Sequence, residues 1–309
     1  MTPDLDLTRD ALATSTLSHG LHLLGDRWMV ALLLGAFLGI RRFDEWQGRL
    51  GIPRHTLAER LKRLMELGML RQRPYQERPV RQGYHLTAKG LQLYPHVLMM
   101  WVWERRWGTR PLALPEKLVH RTCGCAFSPQ MTCSHCQDKV GVNDLSFTLV
   151  VNPGPPAETS LRQRAPRLAA PKEGPMGSGL RVDRWLLMIV SAVLLGCHHF
   201  DQLSHVLGIG SSVLARRLSG MVDSGLLLCQ ADTRDARRKI YRLTPASRDL
   251  FGYIICFSNW SSRHLGQPNS IRSRHKGCGE AFVPSVVCSE CRGILQPWDV
   301  SFEPPPAGG

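Results

Sequence analysis

Eight residues share a spacing that suits metal binding. His120, Cys123, Cys133 and Cys136 stand as His-x2-Cys-x9-Cys-x2-Cys, and His275, Cys278, Cys288 and Cys291 repeat that spacing 155 residues later. Three thiolates and one imidazole per set, arranged as two short knuckles, make the closed tetrahedral donor set of a structural zinc site. The spacing therefore predicts two structural zinc ions, each held by one continuous run of chain. Disulfides are the alternative, and a reducing cytosol argues against them. Each segment is too small to fold on its own apolar surface, so zinc-binding energy would become folding energy. Cys125 lies beside the first set where the second has Glu280, and it is read as a bystander thiol.

The elements ahead of each set repeat as well. Asp26-Arg27-Trp28 returns as Asp183-Arg184-Trp185, Phe43 as Phe200, Gly51-Ile52 as Gly208-Ile209, Arg60-Leu61 as Arg217-Leu218, and Tyr84 and Thr87 as Tyr241 and Thr244, all at one offset of 157. A gapless internal repeat of this kind marks a duplicated domain. Within each copy the order is apolar helix, short helix, tight turn, amphipathic helix, then two short strands around a basic loop, which is the order of a winged helix-turn-helix. Residues 43–50 are predicted as the first helix of the turn, 51–53 as the turn and 54–67 as the second helix. Leu57, Leu61 and Leu64 recur at helical spacing and face the core. His55, Thr56, Glu59, Arg60 and Arg63 are left on the opposite face, where the second helix of such a motif meets base edges and phosphates. The remaining cysteines, Cys197, Cys229 and Cys256, align with Ile40, Gln72 and Met99 and read as packing residues.

A chain of 309 residues that is 43% hydrophobic has material for more than one core. Its net charge of +14 and pI near 9.8 favour a polyanionic partner, because Lys and Arg displace counterions condensed on phosphate. The first ten residues are acidic and lack an apolar stretch, so no secretory signal is expected. The apolar runs 29–40 and 185–197 are shorter than the roughly 18 residues that a membrane span requires, and they are read as buried helices.

These segments together resemble the HxlR-type winged-helix transcriptional regulators of bacteria. The resemblance rests on Gly-Asp-Arg-Trp at 25–28, Arg-Arg-Phe-Asp-Glu at 41–45, Gly-Ile-Pro-Arg-His-Thr-Leu-Ala-Glu-Arg-Leu at 51–61, Leu-Met-Glu-Leu-Gly-Met-Leu at 64–70 and Tyr-His-Leu-Thr-Ala-Lys-Gly at 84–90. It covers residues 17–107 closely and 182–265 more loosely. It implies a cytoplasmic, nucleoid-associated regulator, expected to be a repressor, that binds double-stranded DNA and pairs through its terminal helices. The duplication adds an intrachain pseudo-dimer as an alternative to a homodimer. The residues expected at DNA are Arg54, His55, Thr56, Glu59, Arg60 and Arg63 with wing residues Arg78 and Arg81, and in the second copy Ser211, Ser212, Arg216, Arg217, Arg237 and Arg238. Arg60 carries a second reading as a fold anchor, since Arg217 preserves it where the rest of the face changes. Pro53 stands where the family usually has a polar residue. No cysteine precedes Cys123, which puts the redox sensing of some family members in doubt here.

The fold class expected is mainly α with small β-wings: two tandem winged helix-turn-helix domains, each followed by a short zinc-knuckle segment. The boundaries expected are 1–118 and 119–150 for the first copy and its zinc segment, 151–179 for a linker, and 180–268 and 269–309 for the second copy and its zinc segment with tail. A helical stripe over residues 8–24 leads the first copy and is read as core or dimer interface. At the matching place the second copy has the Pro-, Ala- and Gly-rich stretch 153–179, so it is expected to lack that helix. Residues 75–81 are read as the basic loop of a wing, with Arg71 and Arg73 beside it. A last helix capped by Thr87 is expected to run to about residue 107, its Tyr94, Trp101, Trp103 and Trp107 serving core or dimer contact ahead of any small-molecule effector site. The second reader face has drifted from His55, Thr56 and Glu59 to Ser212, Val213 and Arg216, so the two would not read identical half-sites. No metalloprotease, hydrolase or nucleotide-binding motif occurs, and a site with four protein ligands leaves no position open for a substrate, so an enzyme is not expected. A protein-interaction scaffold of degenerate winged helices and zinc knuckles remains the alternative.

Overall fold

The computed structural model describes residues 3–78, 80–108, 114–151, 183–233, 235, 237–266 and 269–302. The stretch read as a linker, 153–179, lies outside the described residues. The chain opens with α1 (Leu5–Ala13) and α2 (Thr16–Leu24). The sequence suggests one stripe here, but the helix breaks at Thr14 and Ser15, whose hydroxyls donate to the carbonyls of Asp10 and Leu12. Ser15 Oγ also accepts from the Ser18 N–H. Short hydroxyl side chains that bond nearby backbone compete with the helical ladder.

The first winged helix then runs α3 (Arg27–Phe37), α4 (Phe43–Leu50), α5 (Arg54–Glu66), a hairpin of β1 (Leu70–Glu77) and β2 (Val80–Leu86), α6 (Ala88–Leu91) and α7 (Tyr94–Trp107). Its tail adds β3 (Leu118–His120), β4 (Ala126–Phe127), β5 (Pro129–Cys133) and β6 (Leu145–Leu149). The second copy runs α8 (Arg184–Leu194), α9 (Phe200–Leu207), α10 (Ser211–Asp223), β7 (Leu227–Ala231), β8 (Lys239–Leu243) and α11 (Pro245–His264), and its tail adds β9 (Ile271–His275), β10 (Pro284–Cys288) and β11 (Val300–Phe302). Asp26 and Asp183 start α3 and α8 by accepting backbone N–H groups at the positive helix end. Gly51 and Gly208 turn the chain between α4 and α5 and between α9 and α10 at φ +57° and +60°, a conformation that costs glycine little. Leu57, Leu61 and Leu64 on α5 are buried, as the spacing required, and Leu214, Leu218 and Met221 on α10 are buried in the same way.

Two local features differ from expectation. The wing strands extend through residues read as its loop: Gln76 pairs with Arg81 and Glu77 with Val80, beyond a bulge at Pro74 to Gln76. The bulge absorbs the N–H that Pro74 lacks. The last helix of the first copy is split into α6 and α7 where Pro95 enters, whereas Gly252 at the matching position leaves α11 continuous.

The chain forms two compact units, and neither corresponds to one copy of the repeat. Among the described residues, the first unit combines 3–23, 131–151 and 183–266 with 269–285, and the second combines 24–130 with 286–302. The consecutive boundaries expected from the sequence therefore do not describe how the chain packs. In the first unit, α1 lies along α9 and also touches α8. Asp6 Oδ1 meets His205 Nε2 at 3.0 Å, and the Thr16 and Ser258 hydroxyls pair at 2.8 Å. The second winged helix thus receives its leading helices from the start of the chain. Strand β6 pairs antiparallel with β9, from Leu145 with His275 to Leu149 with Ile271. In the second unit β11 pairs with β3, Val300 with His120 and Phe302 with Leu118, and β3 pairs in turn with β4. Among the described residues no single helix is long and apolar enough to cross a membrane.

At Gly20 α2 packs closely against α11. A Cβ there would clash with Ser261 Oγ and stand 2.7 Å from the Phe257 ring. Gly20→Val is expected to destabilise the first unit by about 1–3 kcal/mol, read as a lower urea midpoint with an unchanged slope. In the second unit, burial raises the Glu104 carboxyl to about 7. Between about pH 4.5 and 7 the unfolded chain ionises this group freely while the folded chain keeps it protonated. Its contribution should therefore make stability fall as pH rises from about 4.5 to 7 and level off above that. Glu104→Gln should flatten that slope, and chemical denaturation at pH 5 and pH 7.5 would measure it.

Candidate metal centres and nucleic-acid interface

The eight ligands converge, but not in the sets that chain order suggests. In the second unit His120 and Cys123 meet Cys288 and Cys291; in the first unit Cys133 and Cys136 meet His275 and Cys278. Each centre takes one knuckle from each copy, which corrects the expectation of two contiguous four-ligand runs. The donor atoms of each set lie within 4.8 Å of one another. His120 Nδ1 is 3.2 Å from Cys291 Sγ and 3.5 Å from Cys123 Sγ, and Cys123 Sγ is 4.0 Å from Cys288 Sγ. In the other set His275 Nδ1 is 3.3 Å from both Cys136 and Cys278, and Cys133 is 4.0 Å from Cys278. Ligands about 2.0–2.3 Å from a tetrahedral ion stand at such separations, so the residues fit a metal.

The backbone explains both the knuckles and their exchange. Each knuckle closes on itself in the same way: Gly124, Gln137, Gly279 and Arg292 donate their N–H to the carbonyls of His120, Cys133, His275 and Cys288 at 2.8, 2.8, 2.8 and 3.0 Å. All four have φ between +59° and +75°, which costs Gln137 and Arg292 more than the two glycines. The spacer between the knuckles of one copy runs extended into β5 or β10, with Pro129 or Pro284 at the strand's start. An extended spacer cannot return its second knuckle to its first. The legible signal was the lack of any turn pair after Gly124 and Gly279. Gly293 also allows a close approach, since a Cβ there would stand 3.1 Å from the His120 ring and 3.3 Å from Cys291 Sγ.

The Cys123 thiol is held down to about 7, chiefly by a backbone hydrogen bond at Cys125, with His120, Cys291 and Cys288 adding to it against partial burial. Cys125 itself is exposed and lies outside the converging set. Burial pushes Cys197 up to about 11 and Cys256 up to about 12, as suits thiols that only pack.

On the reader helices the structure separates the sequence candidates. Arg60 Nε lies 2.7 Å from Asp26, the cap of α3. Arg217 Nη1 reaches both oxygens of Asp183, the cap of α8, at 2.9 and 2.7 Å. These two arginines tie reader helix to preceding helix in both copies. Arg54, His55, Glu59 and Arg63 are exposed on α5, with Thr56 half-buried. The Arg54 guanidinium lies over the Phe43 ring at 5.1 Å, and Arg63 pairs with Glu66 at 3.4 Å. In the first wing Arg71, Arg73, Arg78 and Arg81 are exposed, and Arg42 lies 4.8 Å over Tyr75. Burial and the nearby Arg41, Arg73 and Arg71 hold His85 below the ordinary histidine range, which records the positive potential there. The second copy exposes Ser211, Ser212 and Arg216 on α10 and Arg237 and Arg238 at the wing. Arg238 is engaged by both oxygens of Asp201, at 3.0 and 2.9 Å. Arg42, which the sequence reading did not single out, is exposed alongside the arginines of the wing.

The sequence profile of the HxlR-like helix-turn-helix family matches residues 23–111 and 181–269. An uncharacterised HTH-type transcriptional regulator of Mycobacterium tuberculosis is 37% identical over 153 residues, a match that covers 94% of that protein and 47% of this chain. One from Mycobacterium bovis is 36% identical over the same length with the same coverage. Another from Bacillus subtilis is 33% identical over 86 residues, covering 80% of it and 28% of this chain. With both copies matched across their winged helices, the chain belongs to the HxlR-like helix-turn-helix family as a tandem duplication.

Proposed function

We propose that this protein is a sequence-specific DNA-binding transcriptional regulator of the bacterial cytoplasm, a repressor in which two unlike winged helices of one chain take the place of two identical subunits. The observation that carries this reading is the paired anchor. Arg60 with Asp26, and Arg217 with Asp183, hold a reader helix against its scaffold in both copies, while the exposed faces beyond them differ. Mycobacterial relatives little longer than one repeat carry the name of HTH-type transcriptional regulators, which favours a pairing made within this chain. The first face, with Arg54, His55 and Arg63 beside the arginines of its wing, is the stronger candidate for base and phosphate contact. The second face, with Ser211, Ser212 and Arg216 and an Arg238 engaged by Asp201, would read a different half-site with fewer phosphate contacts.

The ion we assign to both centres is zinc, because three thiolates and an imidazole in a closed set match its tetrahedral preference. Zinc would compensate the thiolate charge and hold the knuckles of each centre together. His120 and Cys123 would then be tied to Cys288 and Cys291, and Cys133 and Cys136 to His275 and Cys278, so metal binding would close the exchange of chain ends.

Metal content distinguishes shared centres from contiguous ones. The purified protein should hold two zinc ions per chain. The double variant Cys123→Ser/Cys288→Ser, which strikes one shared centre, should keep one ion, and Cys123→Ser/Cys136→Ser, which strikes both, should keep none. The reverse pattern would restore contiguous sites. For DNA binding, affinity for the protein's own promoter region should fall by roughly 10³-fold or more between about 50 and 200 mM salt. Arg54→Ala and Arg63→Ala should each weaken binding about tenfold with thermal stability unchanged, whereas Arg60→Ala and Arg217→Ala should lower the melting temperature. A symmetric operator should be protected unequally on its two halves. No preference for the promoter over random duplex, with a flat salt response, would point instead to a protein-interaction scaffold.

A further inference from the structure

The two reader helices carry opposite charge at one matched, exposed position. Helices α5 and α10 are both 13 residues long and align without a gap at the offset of the repeat, so Glu59 of the first corresponds to Arg216 of the second. Both side chains are exposed, and each stands one residue before the arginine that anchors its helix, Arg60 or Arg217. One residue along a helix is a rotation of about 100°. An anchored neighbour therefore fixes the direction in which each of the two side chains leaves its helix.

The anchors treat these neighbours differently. Arg60 reaches Asp26 through Nε at 2.7 Å and turns Nη1 to Glu59 Oε1 at 3.1 Å, which leaves Glu59 Oε2 without a partner among the described residues. Arg217 gives Nη1 to both oxygens of Asp183, at 2.9 and 2.7 Å, and the guanidinium of Arg216 has no partner among the described residues. The first copy thus presents a carboxylate steadied by its own anchor, and the second presents an unengaged cation.

The flanking residues suit each role. One turn to either side, Glu59 has His55 and Arg63, whereas Arg216 has Ser212 and Gly220, and all four are exposed. Arg54 and Arg63 on the same helix offset the repulsion between Glu59 and phosphate. A Cβ at Gly220 would meet nothing within 4 Å, so nothing crowds Arg216 from that side.

The chemistry of the two side chains selects the bases. An ionised carboxylate only accepts hydrogen bonds, and in the major groove cytosine is the base that offers a donor, its N4 amine, with no acceptor beside it. A guanidinium only donates, and guanine offers two acceptors there and no donor. We propose that Glu59 and Arg216 set the difference between the two half-sites: Glu59 accepts from the N4 amine of a cytosine, and Arg216 donates to O6 and N7 of a guanine at the matching position of the other half-site. One base pair is thereby inverted between half-sites that are otherwise related by the repeat. The proposal rests on the reading of the chain as a sequence-specific DNA-binding regulator and names the residue pair and the base pair on which the two copies part.

Selection of duplexes from a randomised library by the full-length, metal-loaded protein tests it. The unsubstituted protein should select two unlike half-sites. Glu59→Arg should change one position of one half-site from cytosine to guanine, and Arg216→Glu one position of the other from guanine to cytosine, each exchange shifting relative affinity for the two bases by about tenfold or more. Glu59→Gln, which keeps the size of the side chain, should select adenine at the first of these positions. With the unsubstituted protein, 7-deazaguanine in place of the selected guanine and N4-methylcytosine in place of the selected cytosine should each weaken binding about tenfold, a readout that needs no variant to fold. Variants that select the unsubstituted protein's half-sites, two variants that alter the same half-site, or tolerance of both base analogues would each overturn the assignment while leaving DNA recognition intact. An unsubstituted protein that selects no sequence would overturn it together with the function proposed above.

Discussion

Each unit of this protein depends on an exchange of chain ends. The spacer between the two knuckles of one copy is an extended strand, so the second knuckle is carried away from the first and finds its partner in the other copy's tail. Everything near the centres follows from that displacement: β3 pairs with β11, β6 pairs with β9, and each ligand set is drawn half from residues 120–136 and half from residues 275–291. The leading helices obey the same logic. Their apolar stripe needs a surface, and Leu12 and Leu17 are buried in a unit built on the second copy's helices.

Within each winged helix a second constraint fixes the reader. The aspartate that caps α3 or α8 also receives an arginine from α5 or α10, so one carboxylate both starts a helix and sets the position of the next reader helix. This dual use explains why Asp26 with Arg60 and Asp183 with Arg217 agree between copies while the solvent face around them has changed. Geometry constrains the anchor, and only the contacted sequence constrains the face.

The two copies have also diverged where no metal or reader is concerned. Leu34, Phe37 and Trp101 fill the first copy, while Ser191, Leu194 and Ser258 leave the second hollow beside α2. Pro95 splits the last helix of the first copy where Gly252 leaves that of the second unbroken. Divergence after duplication has thus fallen on interior volume and helix continuity as well as on the exposed faces.

Much of this was legible in the sequence, because it depends on short-range rules. The fixed offset exposed the duplication, leucines at helical spacing located the reader helices, and the ligand spacing identified the knuckles. Conservation of Arg60 as Arg217 already suggested an anchor, and the structure supplied its aspartate. The grouping of the ligands was decided by tertiary structure alone. A spacing along the chain states that two residues share a knuckle but carries no information on which of two equivalent knuckles completes the site, and that choice is made by long-range strand pairing. For the same reason the destination of the leading helices and the hollow behind Ser191 were beyond sequence: both depend on which surfaces meet, and a local pattern specifies a face without specifying its partner.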